Sequence, residues 1–186
     1  MRVISGKFKG KKILEPRDIK TRPLKDLTKE SIFNIIEHSN KLNTNLKGSE
    51  VLDLFSGVGS FGIECLSREA KKVFFVENYY RSLTILKKNI YNLTKTNNFE
   101  IIEKDIYNKN IFKEFNTKFD IIFLDPPYRE KNIENLFIRI KSAKILKDKG
   151  IIILHRHKKD KEKIPQSFKI VEEKKYGISK IFFICN

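Results

Sequence analysis

Five short apolar runs, EVLDLF (50–55), KVFFVE (72–77), FEIIEK (99–104), FDIIFLD (119–125) and GIIILH (150–155), alternate with helix-like patterns near 60–69, 79–94, 107–116 and 132–146. This rhythm leaves few topologies open. Parallel strands need long crossovers, and right-handed crossovers lay the intervening helices on both faces of one sheet. The tail breaks the rhythm: FKIVEEKKYGISKIFFIC holds two strand-like runs joined through Tyr176-Gly177, the pattern of an antiparallel hairpin. The expected fold class is therefore α/β, a mostly parallel seven-stranded sheet that ends in an antiparallel hairpin. Ahead of it, Ile32, Ile35 and Ile36 fall at helical spacing and predict a helix over 28–38. RVISG and KKILEP around SGKFKG predict a small N-terminal β-hairpin, so the chain divides into a basic extension (1–26) and a main domain (27–186). The 186 residues, 40% of them hydrophobic, suffice for a single core.

The first run leads directly into DLFSGVGSFG, residues 53–62, where Gly57, Gly59 and Gly62 form G-x-G-x-x-G between a strand and a helix, with Glu77 closing the second run. Glycines let the backbone turn tightly and approach a ligand, and a carboxylate at the next strand end can accept both hydroxyl hydrogens of a ribose. Such a loop serves any adenosine cofactor. Asp53 narrows the choice, because a fixed anion there repels a pyrophosphate and attracts an ammonium group. S-adenosylmethionine offers that ammonium, a ribose for Glu77 and an adenine amine for Asp105 after the third run.

The fourth run stops abruptly at FLDPPY, residues 123–128. Pro126 and Pro127 cannot donate to a ladder and hold Asp125 in an extended, rigid conformation, with Tyr128 following on the same stiff segment. In a doubly wound sheet a ligand lies beyond the carboxyl ends of the strands at the switch point, here between the first and fourth strands. The glycine loop and DPPY would share that crevice. Asp125 and the Pro126 carbonyl could accept the hydrogens of a planar amine while Tyr128 stacks on its ring.

Charge and cysteine content bound the setting. The net charge is +16, and residues 1–25 hold nine bases against two acids, a local +7 that reads as a basic arm for nucleic acid. No run reaches the roughly 18 apolar residues of a membrane helix, and MRVISGKFKGKK is too polar for a signal peptide, so no membrane and a cytoplasmic location are expected. Cys65 and Cys185 stand far apart and indicate neither a disulfide framework nor zinc. His155 and His157 flank Arg156 and read as a solvated strand end; no metal is expected. Other readings remain open: methylation of another planar amine such as adenine N6 or a protein glutamine, an NAD-dependent oxidoreductase, and a non-catalytic RNA-binding assembly factor.

MRVISGKFKGKKI, TRPLKDLTKESIFNII, VLDLFSGVGSFGIECLSREA, VFFVE and FDIIFLDPPY occur in this order, and together they resemble the RsmD family of small-subunit ribosomal RNA methyltransferases. The resemblance implies a Rossmann-like class I fold, S-adenosylmethionine as cofactor, and methylation of a guanine N2 amine in 16S rRNA of the small subunit or its assembly intermediate. It also implies that Asp53, Phe55, Gly57, Gly59, Glu77 and Asp105 line the cofactor site and that Asp125, Pro126, Pro127 and Tyr128 form the acceptor site. Thr21-Arg22-Pro23 matches too, with Arg22 closing over the cofactor. A monomer is expected. ILHRHKK departs from the family pattern, which has an acid after the fifth strand.

Overall fold

In the computed structural model, which describes residues 1–15, 24–94, 96–127 and 129–186, four helices and seven strands form one α/β body. In chain order they are α1 (Asp26–His38), β1 (Glu50–Leu54), α2 (Ser60–Ser67), β2 (Lys72–Val76), α3 (Tyr80–Leu93), β3 (Phe99–Ile102), β4 (Phe119–Leu124), α4 (Ile133–Ala143), β5 (Leu146–His157), β6 (Lys169–Tyr176) and β7 (Ser179–Cys185). The sheet order is β3-β2-β1-β4-β5-β7-β6. Strands β1 to β5 run parallel, while β7 pairs antiparallel with both β5 and β6. The tail hairpin thus adds to the sheet through its second strand, and β6, rich in Lys and Glu, is the edge. Charge on an edge strand discourages pairing with another chain.

Side chains alternate across the sheet and divide the core in two. Val51, Val73, Phe75, Ile121, Phe123 and Ile153 pack with Ile32, Phe33, Phe61 and Leu86 on the α1–α2–α3 face. Leu52, Leu54, Val76, Ile122 and Leu154 pack with Leu136, Phe137 and Ile140 of α4 on the other. Phe61 lies flat on Phe123 with ring centroids 3.9 Å apart, and Phe33 stacks on Phe61 at 5.1 Å. That column fixes α1 and α2 against the strand that ends in FLDPPY.

Two departures from the sequence expectation have local causes. The helix expected near 107–116 shrinks to a 3₁₀ turn, Ile111–Glu114. Asp105 accepts from the Tyr107 N–H at 2.8 Å, and Asn108 accepts from the Asn110 N–H at 3.0 Å, so side chains take backbone donors that a helix would use. The N-terminal hairpin has a single bridge, Arg2 to Lys12, around a 3₁₀ turn at Gly6–Phe8. Its hold comes from α2 instead: Glu64 accepts from the Ile4 and Ser5 N–H groups at 2.8 and 2.9 Å, and Ser67 Oγ accepts from Phe8 N–H at 2.9 Å. Val3 and Ile13 are buried in the main core.

Candidate active site

Beyond the carboxyl ends of β1, β2 and β4 lies a cleft of about 900 Å³. The structure brings Asp53, Phe55, Gly57, Glu77, Asp105, Asp125, Pro126 and Pro127 to its walls. Gly59 is not on the wall, while Arg22 and Tyr128 fall outside the described residues.

The two conspicuous glycines do different work. Gly57 has φ +56°, and a Cβ added there would meet nothing within 4 Å, so its backbone borders open space in the cleft. Gly59, at φ +85°, faces inward: a Cβ would stand 2.4 Å from Leu86 Cδ1 of α3. Gly59 thus has a packing role, since Leu86 of α3 fills the space that a side chain there would need. Phe55 also adopts positive φ, +61°, which is strained for an aromatic residue and turns the chain out of β1 into the cleft.

Three carboxylates converge here. Asp53 is only 1% exposed, and its Oδ2 accepts from the Gly62 N–H of α2 at 3.0 Å. Burial raises its pKa well above the ordinary carboxylate value, and the neighbouring Asp125 and Glu77 push the same way. Among the described residues no Lys or Arg forms an ion pair with it. Glu77 is more occupied than its expected ribose role requires. Oε2 accepts from Gly57 N–H at 2.8 Å, and Oε1 accepts from the N–H groups of Asn78 and Tyr79 at 2.9 and 2.8 Å. A carboxylate has about four acceptor positions, so most are already used in fastening the glycine loop to the start of α3.

The largest difference from the sequence reading is at the end of β5. His155 and Arg156 are 7% and 3% exposed, and neither belongs to a solvated strand end. His155 Nδ1 lies 2.8 Å from Asp125 Oδ1. Arg156 donates from Nη1 to the Pro127 carbonyl at 3.0 Å and from Nη2 to the Glu130 carbonyl at 2.8 Å, while Nε donates to Glu162. The pairing register contained the signal. Leu124 of β4 sits beside Leu154 of β5, so the next residues, Asp125 and His155, must meet. Buried polar atoms without a partner also cluster on the wall: Ser82 Oγ, His155 Nε2 and the Tyr107 hydroxyl. Burial, then the nearby Glu130 carboxylate, raises the Tyr107 phenol pKa, although that pair falls short of hydrogen-bond geometry. Orphaned polar groups are uncommon in folded proteins, and here they mark a cleft shaped for a polar ligand. Among the described residues no group of three potential metal ligands occurs, and no helix is long and apolar enough to cross a membrane.

Residues 1–185 match the family described as Conserved hypothetical protein 95. The chain is 31% identical over 179 residues to Ribosomal RNA small subunit methyltransferase D of Haemophilus influenzae, spanning 96% of this chain and 90% of that protein. It is 35% identical over 154 residues to a Bacillus subtilis protein named as a candidate rRNA methyltransferase, covering 82% of this chain and 80% of the relative. A crystal structure of a candidate methylase from Haemophilus influenzae superposes with a TM-score of 0.77 at 29% identity, covering 100% of this chain and 97% of the other.

Proposed function

Since this chain belongs to the RsmD family, with the family model spanning residues 1–185, we propose that it transfers a methyl group from S-adenosylmethionine to the N2 amine of a guanine in the 16S rRNA of the small ribosomal subunit. The carrying observation is the meeting, in one cleft, of the Gly57 loop, the buried Asp53 and the rigid Asp125-Pro126-Pro127 segment.

The residues present fit S-adenosylmethionine. Asp53 supplies an anion for its ammonium group, Gly57 gives backbone access beside open space, and Glu77 keeps one acceptor position beside the loop. Asp105, exposed on the cleft wall, remains the candidate for the adenine amine. When bound, the cofactor supplies an electrophilic methyl group. Everything else falls to the chain. An aromatic amine is a poor nucleophile because its lone pair is spread into the ring. Asp125 accepting one N–H, and the Pro126 carbonyl a second, would localise that lone pair and support the positive charge that develops on nitrogen. Asp125 then takes the departing proton or passes it to water.

Single-turnover transfer from labelled cofactor to unmodified small subunits, followed by mass mapping of the RNA, tests this. Asp125→Ala should slow transfer on the order of a hundredfold, about 2.7 kcal/mol, while Asp125→Asn, which keeps a carbonyl oxygen, should retain measurably more activity. Label found on adenine or on protein would replace guanine as the acceptor. Full activity in Asp125→Ala would remove FLDPPY from the chemistry.

A further inference from the structure

We propose that His155 is the positioning residue that aims Asp125 at the acceptor amine, within an acceptor segment clamped by β5. The inference rests on the methyl-transfer role proposed above. A lone carboxylate at a strand end is free to rotate about its last side-chain bond. The Asp125 backbone does little to prevent this, since its N–H reaches the Leu54 carbonyl only at 3.5 Å. The restraint comes from β5. A carboxylate can only accept, so the tautomer that satisfies the 2.8 Å contact carries its proton on Nδ1 and donates to Asp125 Oδ1. The second oxygen, Oδ2, is left for substrate.

Arg156 restrains the other end of the same segment. Neighbouring residues of a strand point to opposite faces, so His155 and Arg156 reach DPPY by different routes. One holds the Asp125 side chain; the other holds the Pro127 and Glu130 carbonyls. The Pro127 carbonyl is occupied twice, by Arg156 and by the Glu130 N–H at 2.8 Å. Among the described residues nothing donates to the Pro126 carbonyl, so Asp125 Oδ2 and the Pro126 oxygen remain as a pair of acceptors. His155 Nε2, buried and without a partner, is unusual for a purely structural imidazole. A histidine kept for packing would ordinarily have both nitrogens satisfied or be replaced by an apolar residue.

The first measurement needs neither cofactor nor RNA. The imidazole ¹⁵N spectrum of the folded protein should show His155 protonated on Nδ1 and bare on Nε2, and Asp125→Ala should abolish that preference. The opposite tautomer in the parent protein overturns the assignment. In single-turnover assays, His155→Leu should lower the rate of transfer ten- to a hundredfold, the scale of a small misalignment of a reacting group, and leave the KM for cofactor unchanged. His155→Asn places an amide N–H near the Nδ1 position and should restore most of the rate, whereas His155→Gln should not. In an Asp125→Ala background His155→Leu should have no further effect. Equal activity of Leu and parent, or additive losses with Asp125→Ala, overturns the proposal. If the parent transfers no methyl group to any subunit, the function proposed above fails, while the tautomer still decides the His155–Asp125 contact.

Discussion

A buried acid with no cationic partner is a liability that a cationic ligand relieves, and among the described residues Asp53 has none. Its raised pKa fixes the sign of a pH effect. The protonated form is favoured in the folded state, so this contribution to stability is full below the ordinary carboxylate range and is lost as pH rises through Asp53's raised value. Asp53→Asn does not titrate and still offers an oxygen to the Gly62 N–H. The variant without ligand should therefore gain thermal stability relative to the parent as pH rises from the ordinary carboxylate range toward neutrality. The same change should weaken S-adenosylmethionine binding by about 1.5 to 3 kcal/mol, the range for a hydrogen bond to a charged group. Thermal melts and calorimetry check both. A stability difference that stays constant with pH would mean Asp53 is ionised in the folded protein throughout, and unchanged affinity would mean the ammonium is held elsewhere.

At the scale of elements, the N-terminal segment is held by buried charge more than by strand pairing. Lys29 of α1 is fully buried, donates to the Arg2 carbonyl at 2.7 Å and to Ser60 Oγ at 3.3 Å, and lies 3.7 Å from Glu64. Glu64 in turn accepts from Ile4, Ser5 and the Arg68 guanidinium. Desolvation lowers the Lys29 pKa, against the pull of Glu64 and Asp26. Glu64→Gln would leave the ammonium without its buried counter-charge and should destabilise the protein by about 3 to 5 kcal/mol. Amide exchange at Ile4, Ser5 and Phe8 should accelerate more than exchange in β4; uniform acceleration would mean the network is not what docks the segment. None of this was legible in RVISGKFKGKK, because Lys29 and Glu64 look like ordinary polar positions of two helices until those helices meet. Most strands and helices were legible, since period-two and 3.6-residue patterns are local. The 107–116 helix was not, because Asp105 and Asn108 capture backbone donors that hydrophobic periodicity does not register. The same distinction separates the motifs from their supports. The glycine loop and FLDPPY are contiguous strings, whereas the His155–Asp125 contact depends on which strands lie side by side.

Over the whole molecule, positive charge is in excess, and part of that excess is gathered on the N-terminal segment. The described part of the N-terminal segment carries Lys7, Lys9, Lys11 and Lys12, all exposed. The network around Glu64 and Ser67 fixes this segment to the C-terminal half of α2, so its lysines form a surface of set geometry and not a free arm. Lys7 pairs with Glu69 at 3.1 Å, but it is 65% exposed, and an exposed pair of this kind is worth little and yields readily to phosphate. Lysine ammonium groups are point charges suited to phosphate contacts, and such contacts release counterions without reading sequence. Neutralising Lys7, Lys9, Lys11 and Lys12 should therefore weaken binding to small-subunit RNA of any sequence. It should also flatten the dependence of log affinity on log salt, by up to about 0.9 for each duplex phosphate that the protein no longer neutralises. Cofactor affinity should stay unchanged, because none of the four lines the cleft. Binding titrations across a salt series give the slope directly. A slope equal to the parent's would show that these four charges remain solvated in the complex and that RNA is held by other parts of the basic surface.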